Sequence, residues 1–264
     1  MAALVKLLLL RYACLFLFCA TAVEDFSLDQ LPVGVVSEEK LEELPSVLWS
    51  KCDDRLAIHQ NADGRFARVT YPQGKWGSKQ SGAQFLVELP PQREYKCSYR
   101  IRFSDDFDFV KGGKLPGLAG GKATAGLKRP SGDGWTARYM WRRYGDLVLY
   151  LYHMDQRNKQ GDDLSLDVRA TPGKWLKLTQ IVTVNSDNQS DGRIRVWVDD
   201  KLVLDRKNLR LQKDGKAPVN RFYFSTFFGG EGADWAPRRD VMIDFAELEI
   251  ETSVADPAKL PKTR

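Results

Sequence analysis

Apolar and polar side chains alternate through this chain from residue 47 to residue 251, and turn residues break the pattern at short intervals. In the stretch from Gly192 to Val198, an extended backbone puts Ile194, Val196 and Val198 on one side and Arg193, Arg195 and Trp197 on the other. The same period predicts strands over 47–52, 55–59, 65–71, 83–89, 95–103, 136–142, 147–153, 164–169, 175–184, 193–198, 201–204, 221–228 and 241–251. Turn signals at 61–64, 72–74, 90–91, 144–146, 171–173 and 190–192 separate them. One short helix is predicted over 37–44, ended by Pro45, and no repeat of fixed period appears. The fold class this implies is all-β: an antiparallel β-sandwich of the jelly-roll, lectin/glucanase-like kind. It would form a single domain over 46–264, behind a lead-in at 23–45.

The N-terminus is read separately. Lys6 and Arg11 precede an apolar run that ends in Ala20-Thr21-Ala22, which predicts a secretory signal peptide over 1–22. Arg11 interrupts the run, so it is too short for a membrane anchor, and a secreted chain free of the membrane is expected. Cleavage would remove Cys14 and Cys19. The two cysteines left, Cys52 and Cys97, are expected to form a disulfide in an oxidising compartment. Only His59 and His153 are present, so no metal site and no cofactor are expected. The net charge of +5 falls to about +3 without Lys6 and Arg11, with both signs interspersed. That balance does not point to a nucleic-acid partner. Asn188 heads a glycosylation sequon in a polar stretch.

The densest cationic feature is Lys111-Gly-Gly-Lys114-Leu-Pro-Gly-Leu118 followed by Ala119-Gly-Gly121, which reads as a glycine-rich turn able to bring a cation against a ligand. Thr136 and Arg138 are two residues apart on one strand, and Tyr150 and Tyr152 two apart on the next. If 144–146 is a three-residue loop, Arg138 falls opposite Tyr152 and all four side chains share a face. A two-residue loop would put the tyrosines on the other side. Among the acids, only Asp106 and Asp108 have the spacing to share a strand face as a glycosidase pair.

The lysine run, Gly134-Trp-Thr-Ala-Arg-Tyr-Met-Trp-Arg142, Leu149-Tyr-Leu-Tyr-His153 and Phe224-Ser-Thr-Phe-Phe-Gly-Gly230 with Trp235 resemble polysaccharide lyase family 14, over about 49–251. The family includes alginate lyases and glucuronate-directed lyases. The resemblance implies a jelly roll whose concave face holds an anionic polysaccharide. It places the family's essential lysine on Lys114, its hydroxyl-and-arginine pair on Thr136 and Arg138, and its two tyrosines on Tyr150 and Tyr152. On this basis Lys114, Arg138, Tyr150 and Tyr152 are the expected catalytic residues. Thr136, Lys111, Arg142 and Trp235 are the expected substrate-binding ones.

Such a set suits β-elimination of a polyuronate by a metal-independent, monomeric enzyme. Arg138 would clamp the C6 carboxylate, and Lys114 or a tyrosine would take the C5 proton. Which of Lys114, Tyr150 and Tyr152 is base and which is acid stays open at this level. The competing expectations are a non-catalytic carbohydrate-binding protein using the same groove, and a glycoside hydrolase using Asp106 and Asp108.

Overall fold

The structure, a computed structural model, describes residues 26–62 and 64–252. The apolar leader and its two cysteines lie outside the described residues. Strands are numbered in chain order. One sheet has eight strands in the order β1 (Gly34–Val35), β3 (Leu56–Asn61), β4 (Gly64–Tyr71), β15 (Val241–Thr252), β6 (Glu94–Phe103), β11 (Leu176–Thr183), β12 (Gly192–Val198) and β13 (Lys201–Leu209). The other has seven: β10 (Asp162–Arg169), β9 (Asp146–Tyr152), β8 (Gly134–Arg142), β7 (Gly112–Gly121), β14 (Val219–Phe228), β5 (Ala83–Gln92) and β2 (Val47–Lys51). All pairings are antiparallel, and the sandwich expected from the alternation is present. In β12 the residues Ile194, Val196 and Val198 are buried while Arg193, Arg195 and Trp197 are partly exposed, as a half-solvated strand requires. The short helix is α1 (Glu38–Glu42), capped by the Ser37 side chain, which accepts from Lys40 N. Ahead of the first long strand, Phe26, Leu28, Leu31, Val36 and Leu41 are buried in the same core as the strands.

Three features differ from expectation. The lysine run is a strand, β7, in the middle of the seven-stranded sheet, rather than a loop. Its glycines serve close packing. A Cβ at Gly113 would lie 2.1 Å from the Trp141 ring, one at Gly117 2.1 Å from the Ala137 carbonyl oxygen, and one at Gly120 2.3 Å from Trp135 Nε1. Pro116 sits where the register to both neighbours shifts, the position at which a sheet tolerates proline. Pro90 and Pro91, expected in a turn, lie within β5, where the register to β14 also shifts between Glu88 and Gln92.

The expected Cys52–Cys97 disulfide is not formed. Both thiols are free and buried. Cys52 follows β2 in one sheet, and its Sγ donates to the Val36 carbonyl at 3.5 Å; Cys97 is on β6 in the other sheet. Burial pushes the Cys52 thiol up to about 12 and raises Cys97 further, so both are small apolar core groups with little thiolate character.

Candidate active site

The β8–β9 hairpin sets the geometry. Its loop is Arg143–Gly145, one residue earlier than the expected loop, with Tyr144 at φ 63° and Gly145 at φ 86°. Sliding a three-residue loop by one position moves each cross-strand partner by two. Arg138 therefore lies opposite Tyr150 rather than Tyr152, and Thr136 opposite Tyr152. The side-chain faces are preserved.

One row crosses five strands of the sheet from Asp163 through Tyr150, Arg138 and Gly117 to Tyr223. The adjacent row carries Val148, Met140, Lys114 and Phe227. Both rows point away from the main core, where Met140, Val148, Tyr150 and Tyr152 form a separate small apolar cluster. This face is the floor of a groove of about 930 Å³. Ala125 to Leu127 form one wall, and the 229–235 segment with Trp235 forms the other.

Lys114 and Arg138 are the basic side chains at the centre of the floor. The Lys114 Nζ is 2.7 Å from Met140 Sδ and 3.5 Å from the centre of the Tyr150 ring. Burial, and then the positive charges of Arg138 and Arg142, hold its pKa well below the usual lysine value. The Tyr150 ring face favours the ammonium form, but desolvation and two guanidinium groups outweigh it. Arg138 is 3 % exposed and donates from an Nη to Ser225 Oγ at 3.0 Å, with Tyr223 stacked 4.9 Å away. Ser225 and Tyr223 both donate to Gln84 Oε1 at 3.1 Å. Among the described residues the Arg138 Nε has no hydrogen-bond partner. Among the described residues, neither Lys114 nor Arg138 has a carboxylate within 4.0 Å.

Tyr150 and Tyr152 meet edge to face, with their hydroxyls 3.4 Å apart. Gly161 N donates to the Tyr150 hydroxyl at 3.1 Å. Burial, reinforced by the Tyr152 hydroxyl, raises the Tyr150 pKa far above that of a free phenol. Arg142 lines the groove but is bonded to Asp163 at 2.6 Å.

Four candidates are placed elsewhere. Thr136 is fully buried, and its hydroxyl donates to the Thr124 carbonyl at 3.2 Å. It ties down the wall loop instead of reaching a ligand. Lys111 precedes β7, is bonded to Asp234, and lines a neighbouring cavity. Asp106 and Asp108 lie in the loop after β6, away from the groove, and face Arg239 and Arg238. Burial would raise Asp108, but hydrogen bonds from Arg238 hold it low, which is the wrong state for a glycosidase acid.

Met140, Tyr223, Ser225 and Gln84 were not singled out from the sequence. Met140 was within reach, two residues after Arg138 on the same strand face. The other three come from β14 and β5, whose adjacency to the site depends on strand order.

Comparison with known proteins agrees with this fold. The family model for polysaccharide lyase 14 matches residues 59–248. Alginate lyase Aly36B has a similar structure, with 24 % identity, a TM-score of 0.74 and cover of 84 % of this chain and 93 % of that one. An alginate lyase from Aplysia kurodai has 24 % identity and a TM-score of 0.71, over 83 % of this chain and 97 % of its own. One from a Chlorella virus has 20 % identity and a TM-score of 0.69, over 83 % and 99 %. No curated protein is close enough in sequence to match. With the family model covering well over half its length, the chain belongs to polysaccharide lyase family 14.

Proposed function

We propose that this lyase is exported and cleaves a uronic-acid polymer, alginate or glucuronan, by β-elimination without a metal. The observation that carries the reading is Arg138, sunk in the groove floor with, among the described residues, no carboxylate within 4.0 Å, and set close enough to Lys114 for its charge to lower that lysine's pKa. A buried cation without a counter-charge is costly, and a substrate carboxylate would supply that charge. The structural likeness to alginate lyases and the apolar N-terminal leader support the substrate class and the export.

The chemistry follows from the directions of the two perturbed groups. Arg138 stays charged despite burial and presents its guanidinium to the C6 carboxylate of the sugar being cleaved. Negative charge spreads into that carboxylate as the C5–H bond breaks, so Arg138 stabilises the enolate. Lys114, whose pKa is depressed, is available as the neutral amine that takes the C5 proton. The C5–H electrons form the C4–C5 double bond, and the C4–O bond breaks. Tyr150, whose pKa is raised, keeps its proton until the leaving oxygen needs it, while Tyr152 orients that hydroxyl from 3.4 Å. Two groups whose environments push their pKa values in opposite directions are thus assigned base and acid. The protein acts as a monomer, and Asn188, exposed between β11 and β12, is the glycosylation site.

Incubation with polymannuronate, polyguluronate, glucuronan and hyaluronan, followed by product sizing, tests the proposal. Shortened chains carrying one unsaturated end are expected from at least one polymer. Binding without any cleavage would leave a carbohydrate-binding protein instead.

A further inference from the structure

A second cavity, of about 600 Å³, opens at the tip of the β8–β9 hairpin. It adjoins the groove: Arg142 lines the groove and Arg143 the cavity, while Trp235 lines the groove and its neighbours Asp234 and Ala236 line the cavity. Lys111 stands at the boundary, bonded to Asp234 and 5.8 Å from the centre of the Trp235 ring. Phe107, Phe109 and Val110 make the remaining wall apolar.

Lys111, Arg143 and Arg238 face two carboxylates here, Asp108 and Asp234. Asp108 is bonded to Arg238 at 2.8 Å, and Asp234 to Lys111. Arg143 is exposed and, among the described residues, has no carboxylate within 4.0 Å. Beside it Tyr144 is 71 % exposed, the most of any large apolar side chain among the described residues. Its φ of 63° is a left-handed conformation that hairpin loops ordinarily give to glycine or asparagine. Arg169, itself bonded to Asp146, lies 6.0 Å from the centre of the Tyr144 ring on one side, and the rest of the ring is open. A strained backbone that holds a largely exposed aromatic ring next to Arg143 is a feature of binding sites. A tyrosine face suits a sugar ring, and a guanidinium suits a carboxylate.

We infer that this cavity is an outer subsite for the same polymer. It holds a uronate unit beyond those in the groove, with Arg143 on the carboxylate and Tyr144 against the ring. The inference rests on reading the groove as a polyuronate site. Its consequence is a dependence on chain length, because only a chain long enough to pass Trp235 reaches Arg143.

The test measures rates on size-fractionated oligouronates and on polymer, for the wild-type chain, Arg143→Gln and Arg143→Gln/Tyr144→Asn. Asparagine accepts the left-handed backbone, so the hairpin should keep its shape. For the double variant, kcat/KM on polymer and on the longest oligomers should fall about tenfold, through KM, with the shortest cleaved oligomer unaffected. Equal rates at every length, or an equal loss at every length, overturns the subsite. Arg143→Gln alone should show the same length dependence in smaller measure if the double variant proves unstable. Calorimetric binding of the same oligomers to Lys114→Ala, with and without the two changes, reads the subsite without turnover. Weakening confined to long oligomers supports it, and unchanged binding overturns it. A wild-type chain that cleaves no polyuronate but shows this binding pattern refutes the lyase reading and leaves the subsite standing.

Discussion

The Lys114 Nζ lies 3.5 Å above the centre of the Tyr150 ring, and the two groups are perturbed in opposite senses, the lysine downward and the phenol upward. Both shifts have burial as their largest cause. Burial disfavours the charged form of each, which biases the lysine toward giving up its proton and the phenol toward keeping its own.

Replacing Lys114 with methionine should abolish turnover while stabilising the fold. The depressed pKa means that the unfolded chain binds more protons than the folded one between that value and the ordinary lysine range. The native lysine therefore destabilises the fold most below its folded pKa, and that penalty is relieved as pH rises toward about 10.4. Thermal melts of Lys114→Met should lie a few degrees above wild type near neutral pH, with the difference shrinking as pH rises. A constant difference across pH would contradict the assignment.

Arg138→Lys keeps the charge but loses the planar fork. Steady-state kinetics should give a loss of about 10²–10³ in kcat/KM. Ser225→Ala removes the hydroxyl that orients Arg138 and should cost much less, about tenfold. Equal effects would place the chemistry elsewhere.

Tyr150→Phe should lower kcat by about 10²–10⁴, and Tyr152→Phe by less. Because the Tyr150 pKa is raised, the alkaline fall in kcat of the wild type should lie above about pH 10, the ordinary phenol range. A pH–rate profile that falls well below that range would remove Tyr150 as the acid.

Gly113→Ala should destabilise the protein by about 3 kcal/mol in denaturant melts, since the new methyl meets the Trp141 ring at 2.1 Å and the Phe227 carbonyl oxygen at 2.5 Å. By contrast, the free thiols predict identical melts with and without reductant, and two reactive thiols only after unfolding of the chain without its leader.

Most of the fold is visible in the sequence because alternation is local, and β12 shows it residue by residue. β7 is hidden for a physical reason: glycines that admit Trp141 and Trp135 leave too few side chains to show the alternation, so a strand looks like a turn. Arg138, Tyr150 and Tyr152 share a face through strand parity, which survived the one-residue shift of the hairpin loop. Tyr223, Ser225 and Gln84 could not be placed from sequence, because they meet Arg138 only through the β8–β7–β14–β5 order. For Thr136, parity gives the face but not what covers it, here the Thr124 loop. Counting alone pairs Cys52 with Cys97, but it takes no account of the different sheets that position them.

The most direct measurement follows ultraviolet absorbance at the unsaturated-uronate band while the protein acts on a polyuronate, and on the same polymer after its carboxylates are reduced to alcohols. Absorbance should rise with the polyuronate, stay flat with the reduced polymer, and stay flat with both for Lys114→Met. No rise with any polyuronate, or equal breakdown of the charged and reduced polymers, would contradict a groove in which Arg138 reads and activates the carboxylate.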